Sequence, residues 1–353
     1  SRTERRYFTE NLIVTEHIIN QILQKNFHGK DDWNNSLRQF KDRNIFQSYE
    51  WGELKKLEGW EVLHVTVTDN ESSSCILLAQ VLIKKVMGIK IAWCPGGPII
   101  QCNKSNNGID ALKKFKEVIF EEKIINLRCK PYMSDTPNNQ KIFSTISKSN
   151  YSFTSPRTTI LKIVSHEDLL KQVKPKHRVH LKKSIKANII WKSFTGSEAA
   201  TVFSVIYDEM RKSKNLNLPI IDIEAFSKIL GTNDNGEPRL FSFVGLENNK
   251  PVTVCVISLL GNKAFYHYAA SSERGRVTRA PYGMIFNLVS KLKNLSVEEL
   301  DFGGISSDGT SGVDHFKLRF NGEELLKVGE FDISKSKVYS YFFNKALQLK
   351  KHI

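Results

Sequence analysis

Cysteine is scarce in this sequence, and its spacing excludes two common kinds of structural site. The 353 residues include five cysteines, with no C-x-x-C pair and no histidine at metal-ligand spacing beside them. A structural zinc site or a disulfide framework needs such clusters. We therefore expect buried free thiols, a reducing compartment, and neither a metal nor an organic cofactor.

Long hydrophobic runs are also absent. The longest, residues 75–83, is interrupted by Gln80 and is far shorter than the roughly 20 residues that span a bilayer. The N-terminal residues lack the apolar core of a signal peptide. These features predict a cytoplasmic protein. Peripheral attachment to the inner face of the membrane stays open, because a positive surface suits anionic lipids.

Acidic residues are too few to balance the basic ones. The chain has 52 lysines and arginines against 37 aspartates and glutamates, which gives a formal net charge of +15. Its 40% hydrophobic and 25% charged content is otherwise typical of a globular protein. The excess charge favours polyanionic partners such as nucleic acids, nucleotide phosphates or anionic membranes, and it does not choose among them.

The elements predicted from hydrophobic periodicity occur in the same order in both halves of the chain. Each half has helical segments, three strands, a helix, a strand, a further helical turn and a last strand. The predicted strands are 60–68, 75–86, 89–93, 124–129 and 151–164 in the first half, and 239–247, 251–260, 263–270, 297–302 and 324–331 in the second.

This repeat predicts a mixed α/β protein made of two tandem units. We place the first unit at residues 1–165, with an N-terminal accessory helix marked by apolar residues around Ile18–Leu23. The second unit is expected at residues 166–334. A basic amphipathic helix, 335–353, should pack back on the first unit.

The stretch 300–330 carries the densest set of candidate catalytic residues. Gly303 and Gly304 follow an apolar strand, where the backbone turns sharply or lets a ligand come close. Lys317 lies on the next helical turn, away from its apolar face, and can point an ammonium into a cleft. The candidate bases are His315, Asp301 and Asp314. The two aspartates could instead cap the loop.

Three further groups of residues each have two interpretations. Tyr266 and Tyr268 lie two apart on one predicted strand and should share a face, as part of either the core or a ligand platform. Trp51 and Lys55 share a helical face, where Lys55 either borders a site or is simply solvated. The basic segment 174–186 is either a solvated helix or a phosphate-binding wall. Its candidate phosphate ligands, with two from the later turn, are Lys176, Arg178, Lys182, Lys183, Lys317 and Arg319.

Seven short motifs occur in the order found in one protein family. They are Trp51-x-x-x-Lys55, Gly96-Gly97-Pro98, Lys176 to Lys186, Tyr266-x-Tyr268-Ala269-x-Ser271, Ala280-Pro281-Tyr282, Asp301-x-Gly303-Gly304 and Phe316-Lys317-x-x-Phe320. Over about residues 45 to 333 the chain resembles the FemABX aminoacyl transferases. The resemblance implies two acetyltransferase-like (GNAT-type) domains. It also implies transfer of an amino acid from aminoacyl-tRNA to an amine of a nucleotide- or lipid-linked cell-wall or surface-glycan precursor, with no role for DNA.

Carried over residue by residue, the resemblance makes Lys55 and Tyr268 contacts to the acceptor, with Trp51, Tyr266 and the glycine pair beside it. It makes Lys317 a contact to the aminoacyl-tRNA end or to charge that develops during transfer. Two positions depart from the family. Ser213 stands where an arginine commonly holds the precursor's phosphates, and Lys130 stands where many members have an acidic residue.

The chemistry of this transfer makes modest demands on a protein. An α-amine with a pKa near 8 is deprotonated at pH 7 for about 1.4 kcal/mol, whereas a lysine side chain costs about 4.6 kcal/mol. The ester of the donor is already activated, so alignment and one cationic or backbone donor can supply most of the rest. These demands fit a catalytic site made of Lys317, tyrosine hydroxyls such as that of Tyr268, and strand backbone. Two alternatives stay open: an N-acyltransferase that uses acyl-CoA or acyl carrier protein, and a non-catalytic RNA- or glycan-binding protein. The segment 272–276 lacks the second glycine of the acyl-CoA pyrophosphate loop, which counts against the first.

Overall fold

The computed structural model describes residues 21–25, 29–102, 105–152, 154–214, 222–306 and 311–351. The chain forms two compact units, each with its own sheet. One comprises Ser1–Thr154 with Leu326–Ile353, and the other comprises Ser155–Leu325.

The first unit is built on one sheet. Its strands are β1 (Gln21–Lys25), β2 (Glu61–Asp69), β3 (Cys75–Val86), β4 (Ile89–Gly96), β5 (Ile99–Ile100), β6 (Ile124–Pro131), β7 (Ser147–Lys148) and β15 (Phe331–Ser334). The strand order is β1-β2-β3-β4-β6-β15-β7, and the short β5 pairs with β3. β4 and β6 run parallel, whereas β1, β2 and β3 pair antiparallel. Its helices are α1 (Lys30–Arg38), α2 (Tyr49–Leu57), α3 (Ser105–Glu121), α4 (Pro137–Phe143) and α12 (Lys337–Lys351).

The second unit is built on the other sheet. Its strands are β8 (Arg157–Lys162), β9 (Ile190–Phe194), β10 (Leu240–Glu247), β11 (Lys250–Leu260), β12 (Lys263–Ser271), β13 (Glu299–Ile305) and β14 (Glu323–Leu326). The strand order is β14-β8-β13-β12-β11-β10-β9, in which β12 and β13 run parallel. Its helices are α5 (His166–Gln172), α6 (Pro175–Ile185), α7 (Gly196–Lys214), α8 (Ile223–Leu230), α9 (Glu273–Thr278), α10 (Ala280–Asn294) and α11 (Gly312–Leu318).

Two segments join a different sheet from the one that their place in the sequence predicts. The strand expected at 151–164 in the first unit is β8, and it pairs with β13 of the second sheet. The strand expected at 324–331 divides into β14, in the second sheet, and β15, which pairs with β6 in the first. The unit boundaries therefore fall after Thr154 and Leu325 rather than after residues 165 and 334. Strand pairing depends on distant partners, which local periodicity does not identify.

The N-terminal prediction of a helix is wrong in the part that the structure describes. Gln21–Lys25 is β1, an edge strand in which Leu23 pairs with Val67 of β2. Residues 1–20 lie outside the described part of the chain. The apolar residues of so short a segment fit both the helical and the strand periodicity. Pairing with the edge strand β2 therefore decides in favour of a strand.

The core of each unit forms where helices cover its sheet. In the first, α3 packs its buried Leu112 and Phe115 against β3 and β6. In the second, α10 packs Ile285 and Leu288 against β10 and β11, while α7 packs against β10, β11 and β12. No helix within the described residues is long and apolar enough to cross a bilayer.

A buried ionic network ties the C-terminal segment to the first sheet. Arg128 of β6 donates from Nε to Asp332 Oδ1 at 2.7 Å and from Nη1 to Glu330 Oε2 at 2.7 Å. Its Nη2 donates to Asn344 Oδ1 of α12 at 2.5 Å. Burial opposes the charge of Arg128, but the bonds to Asp332 and Glu330 raise its pKa overall. α12 thus packs against β6 and β15.

The free thiols are placed largely as the sequence predicts. Cys94, Cys129 and Cys255 are buried, and Cys75 and Cys102 are half-buried. Burial raises the pKa of Cys75 to about 12 and holds the pKa values of the other four above their usual range. These thiols therefore stay protonated near neutral pH and are poor nucleophiles.

Candidate functional site

The sheet of the second unit opens between its two parallel strands. β12 and β13 pair only from Lys263↔Glu299 to Phe265↔Asp301. Beyond that point β12 has a register shift opposite Val256 and Ile257, and β13 has another between Asp301 and Gly304. In the first unit, by contrast, β4 and β6 stay paired as far as Gly96↔Pro131. The opening gives the second unit a cleft at the position where the first unit has continuous sheet.

Lys317 is fixed at this opening by its own helix and by β13. Its side chain is buried, and Nζ donates to the carbonyl oxygen of Gly304 at 2.7 Å. Burial lowers the pKa of Lys317, while the charges of Asp314 and Asp301 act in the opposite direction. Phe316 and Phe320 anchor α11 by ring contacts to Tyr282 and Phe302. The ammonium is therefore held rigidly in a partly apolar setting.

The two aspartates of the loop make the contacts that shape it. Asp301 Oδ1 accepts from the Gly303 amide at 2.8 Å, and Thr158 Oγ1 lies 2.8 Å from the same oxygen. These contacts support the left-handed backbone of Gly303, whose φ is +74°. Asp314 accepts from the Ser306 amide at 3.2 Å and from its hydroxyl. Burial works to raise the pKa of Asp314, but hydrogen bonds from Ser306 and Ser311 lower it overall.

Tyr266 and Tyr268 do not share a face, contrary to the prediction from strand alternation. At the register shift, Tyr266 and Tyr268 pair with the adjacent residues Ile257 and Val256 of β11, so that His267 forms a bulge between them. Tyr266 contacts Phe302 on the α10 side of the sheet, whereas Tyr268 contacts Phe203 of α7 on the other side. A β-bulge shifts the alternation by one residue, so residues two apart point in opposite directions. Of the two tyrosines, Tyr266 lines the cavity at the opening, and burial raises its pKa well above the ordinary value.

A cavity of about 710 Å³ lies at this opening in the second unit. It is lined by Tyr266 and Phe302 from the strands and by Lys317 and the exposed His315 from α11. Three arginines also line it: Arg276, Arg279 and Arg319. Arg319 Nη1 donates to the Tyr282 hydroxyl, and its buried Nε has no hydrogen-bond partner among the described residues. The cavity therefore combines apolar walls with a concentration of positive charge.

The basic helix predicted at 174–186 is α6, and its basic residues differ in their contacts. Arg178 donates to the carbonyl oxygens of Val173 and Lys171, at 3.0 and 2.8 Å, so it caps the end of α5. Lys182 and Lys183 are exposed. The side chain of Lys176 lies outside the described part, as does that of Ser213. The interpretation of Arg178 as a phosphate ligand is thus not supported by its contacts.

Trp51 and Lys55 line a separate cavity of about 350 Å³ in the first unit. Lys55 Nζ donates to both carboxylate oxygens of Glu58 at 2.8 Å and lies 4.8 Å from the centre of the Trp51 ring. The Ser48 hydroxyl caps α2 by accepting from the Trp51 amide at 3.2 Å, which fixes the start of the helix. Further lining residues include Trp60, Trp93, Lys130, Tyr132 and Thr154.

Several lining residues carry signals that sequence reasoning missed. Arg276 lies in α9 and Arg279 directly follows that helix, and their charge beside an expected cleft was available in the sequence. Glu58, the partner of Lys55, lies three residues away at an ordinary helical ion-pair spacing. Trp60 and Trp93 had no local signal beyond their strands. Within the described ranges, no group of three or more His, Cys, Asp or Glu side chains could hold a metal ion.

Comparison with known proteins identifies the fold. The sequence profile of the FemAB family matches residues 30–221 and 245–348. The crystal structure of FemX has 15% sequence identity, covers 91% of this chain and 100% of its own, and has a TM-score of 0.76. A tandem GNAT protein from the clavulanic acid biosynthesis pathway has 10% identity, coverage of 90% and 100%, and a TM-score of 0.54.

A third similar structure is the C-terminal domain of a putative lysylphosphatidylglycerol synthetase from Agrobacterium fabrum. It has 10% identity, covers 90% of this chain and 96% of its own, and has a TM-score of 0.54. The curated proteins contain no sequence match to this chain. The structural similarities confirm the predicted α/β fold with two GNAT-like units. Because the family profile matches most of its length, the chain belongs to the FemAB family of peptidoglycan-related transferases.

Proposed function

We propose that the protein is a cytoplasmic aminoacyl transferase that moves an amino acid from aminoacyl-tRNA to an amine of a nucleotide- or lipid-linked cell-wall precursor. The observation that carries this proposal is Lys317, a buried ammonium bound to Gly304 O at the opening between β12 and β13. Family membership supports the reaction class. The positively charged cavity beside Lys317 supports a polyanionic donor.

In the proposed reaction the acceptor amine attacks the ester carbonyl carbon of the donor. A new C–N bond forms, the ester C–O bond breaks, and the amine proton ends on the released ribose hydroxyl. Negative charge develops on the carbonyl oxygen and then on the leaving oxygen. The ammonium of Lys317 can stabilise either charge, and a lowered pKa makes it a better proton donor to the leaving oxygen.

The arginines around the cavity favour a phosphate-bearing donor end. Arg276, Arg279 and Arg319 line the cavity. The pKa of nearby His180 is lowered, mainly by burial and further by the positive charges of Arg279 and Arg319. Arginine is well suited to phosphate because its planar donors match the oxygens. His315 is placed at the same cavity and is the candidate base for an acceptor with a high amine pKa.

The segment after β12 argues against acyl-CoA as the donor. A pyrophosphate loop needs backbone amides that point at the ligand. Here the Gly275 amide donates to Ser272 Oγ at 3.1 Å, and the Arg276 amide donates to Ser272 O at 3.1 Å. These amides are used within α9. Aminoacyl-tRNA, which would be held through side-chain cations, fits this segment better.

The cavity of the first unit is the proposed acceptor site. Its tryptophans offer flat apolar surfaces, and the Lys55–Glu58 pair offers donors and acceptors for polar groups. Because Glu58 neutralises Lys55, this pair is a weak phosphate ligand. With Ser213 in place of the family's arginine, we infer that the acceptor is held mainly through groups other than its phosphates.

The test is a donor competition with purified protein. The protein is incubated with tRNA charged with labelled amino acids and with a nucleotide-linked or lipid-linked precursor, and in parallel with labelled acyl-CoA. We expect label to move from tRNA to the precursor amine. Transfer from acyl-CoA alone would replace the proposal with N-acyl transfer. Tight binding of charged tRNA without transfer to either precursor would indicate a binding protein.

A further inference from the structure

The outer face of α12 carries a group of exposed aromatic side chains. Among the residues that the structure describes, the exposed Phe, Tyr and Trp side chains are Tyr339, Tyr341 and Phe342, at 47%, 55% and 64% exposure. All three lie within four residues of one helix, next to Val338 at 60% exposure. Apolar side chains concentrated in this way mark an interaction surface, since single exposed ones are common but clusters are not.

The helix is held so that these residues face outward. Val338, Tyr341, Phe342 and Lys345 have the i, i+3, i+4 and i+7 spacing of one helical face. Next to this face, the buried Asn344 donates from Nδ2 to Asp332 Oδ2 at 3.1 Å, and its Oδ1 accepts from buried Arg128. The buried network therefore fixes the rotation of α12.

The charge on this helix has a single sign. Residues 333–353 contain five lysines and no acidic residue. Lys335, Lys337 and Lys345 are exposed beside the aromatic face. Lysine stems lie along apolar surface while their ammonium groups reach outward to anions. Exposed aromatic residues with flanking lysines are the composition of helices that lie in the interface of anionic membranes.

We propose that α12 docks the protein on the surface of a lipid bilayer that contains anionic lipids. Val338, Tyr341 and Phe342 enter the headgroup region, and the lysines pair with lipid phosphates. The charge complementarity favours this occupant, because neither a second copy of this basic chain nor a neutral protein surface would complement the lysines. The proposal concerns the first unit alone and is independent of the reaction assigned above.

Vesicle sedimentation tests the proposal with the full chain. The vesicles are phosphatidylcholine alone, or phosphatidylcholine with about a third phosphatidylglycerol, the anionic lipid that should attract the lysines. We expect binding to the mixed vesicles and little to the neutral ones, with binding weakened by salt. The variant Tyr341→Ser/Phe342→Ser should lose at least about tenfold in partition coefficient, because it removes the apolar insertion but no charge.

The matched control is Val179→Ser/Ile185→Ser on α6, where two exposed apolar residues also lie beside lysines. This variant should bind vesicles as the wild type does, and far-ultraviolet circular dichroism should show that both variants are folded. Three results would overturn the proposal. They are no binding of the wild type to mixed vesicles, equal binding by the α12 variant, or a wild-type dimer that only the α12 variant dissociates.

Discussion

A buried lysine keeps its charge only where polar groups offset part of its desolvation. Lys317 has a backbone carbonyl at 2.7 Å and the negative charges of Asp314 and Asp301 nearby, yet its pKa is still lowered. The site thus retains an ammonium that is only partly stabilised. A negative charge that develops next to it in a transition state would complete that stabilisation, which is the condition for catalysis by differential binding.

His267, in the bulge of β12, gives the second unit an acid-sensitive stability. Burial lowers its pKa from 6.5 to about 4, and its Nε2 lies 2.6 Å from Ser258 Oγ. Between these pH values the unfolded chain binds the proton and the folded chain does not. The free energy of unfolding therefore falls as the pH drops from about 6.5 to about 4, by up to about 3 kcal/mol.

The prediction is checked by urea unfolding of the wild type and His267→Gln between these pH values. We expect the variant to be less stable near pH 7 and to lose this part of the acid dependence. A variant with the same pH slope as the wild type would show that His267 titrates normally.

At the scale of elements, the opening between β12 and β13 depends on Gly303. Its φ of +74° is a conformation that glycine adopts without strain, and the nearest atom to an added Cβ is Tyr266 O at 4.0 Å. Gly303→Ala should therefore cost about 1–2 kcal/mol of stability through the backbone alone. We also expect at least about a tenfold loss of kcat, because the strain moves Gly304 O, which positions Lys317.

Gly261 provides a matched control in the hairpin between β11 and β12. Its φ is +59°, and an added Cβ would meet nothing within 4 Å. Gly261→Ala should lose a similar free energy of unfolding and keep its kcat. Equal kcat losses in the two variants would show that Gly303 contributes to stability and has no specific effect on the position of Lys317.

Local sequence signals predicted most elements of this fold well. The strands predicted at 75–86, 251–260 and 263–270 correspond within one residue to β3, β11 and β12. The failures were non-local. Nothing within 151–164 or 324–331 indicates which sheet these strands join, and the bulge at His267 depends on its pairing with β11. The glycine loop and Lys317 were found because their chemistry is local, whereas Trp60 and Trp93 line a cavity only through the fold.

Across the whole first unit, one buried cation helps to hold the C-terminal segment in place, in addition to the pairing of β15 with β6. Arg128 is opposed by two carboxylates, those of Glu330 and Asp332. Arg128→Met would leave both carboxylates buried without an opposite charge. We therefore expect the free energy of unfolding to fall by about 3–5 kcal/mol. Urea unfolding followed by circular dichroism would measure this loss.

A compensating variant separates charge from packing in this network. Arg128→Met/Glu330→Gln/Asp332→Asn removes both uncompensated charges and should recover part of the lost stability. A single Arg128→Met variant within about 1 kcal/mol of the wild type would contradict the assigned role of the network.

Lys317 is proposed to serve the aminoacyl-transfer step, and single-turnover kinetics of Lys317→Met measure its contribution to that step. The protein is mixed in excess with charged tRNA and an accepting precursor, and amide formation and tRNA binding are measured in the same preparation. We expect the rate to fall about 100- to 1,000-fold while tRNA binding changes far less, because the ammonium acts on developing charge. Lys293→Met, an exposed lysine on α10, should react as the wild type does. A wild-type rate in Lys317→Met would show that this ammonium has no part in the transfer step.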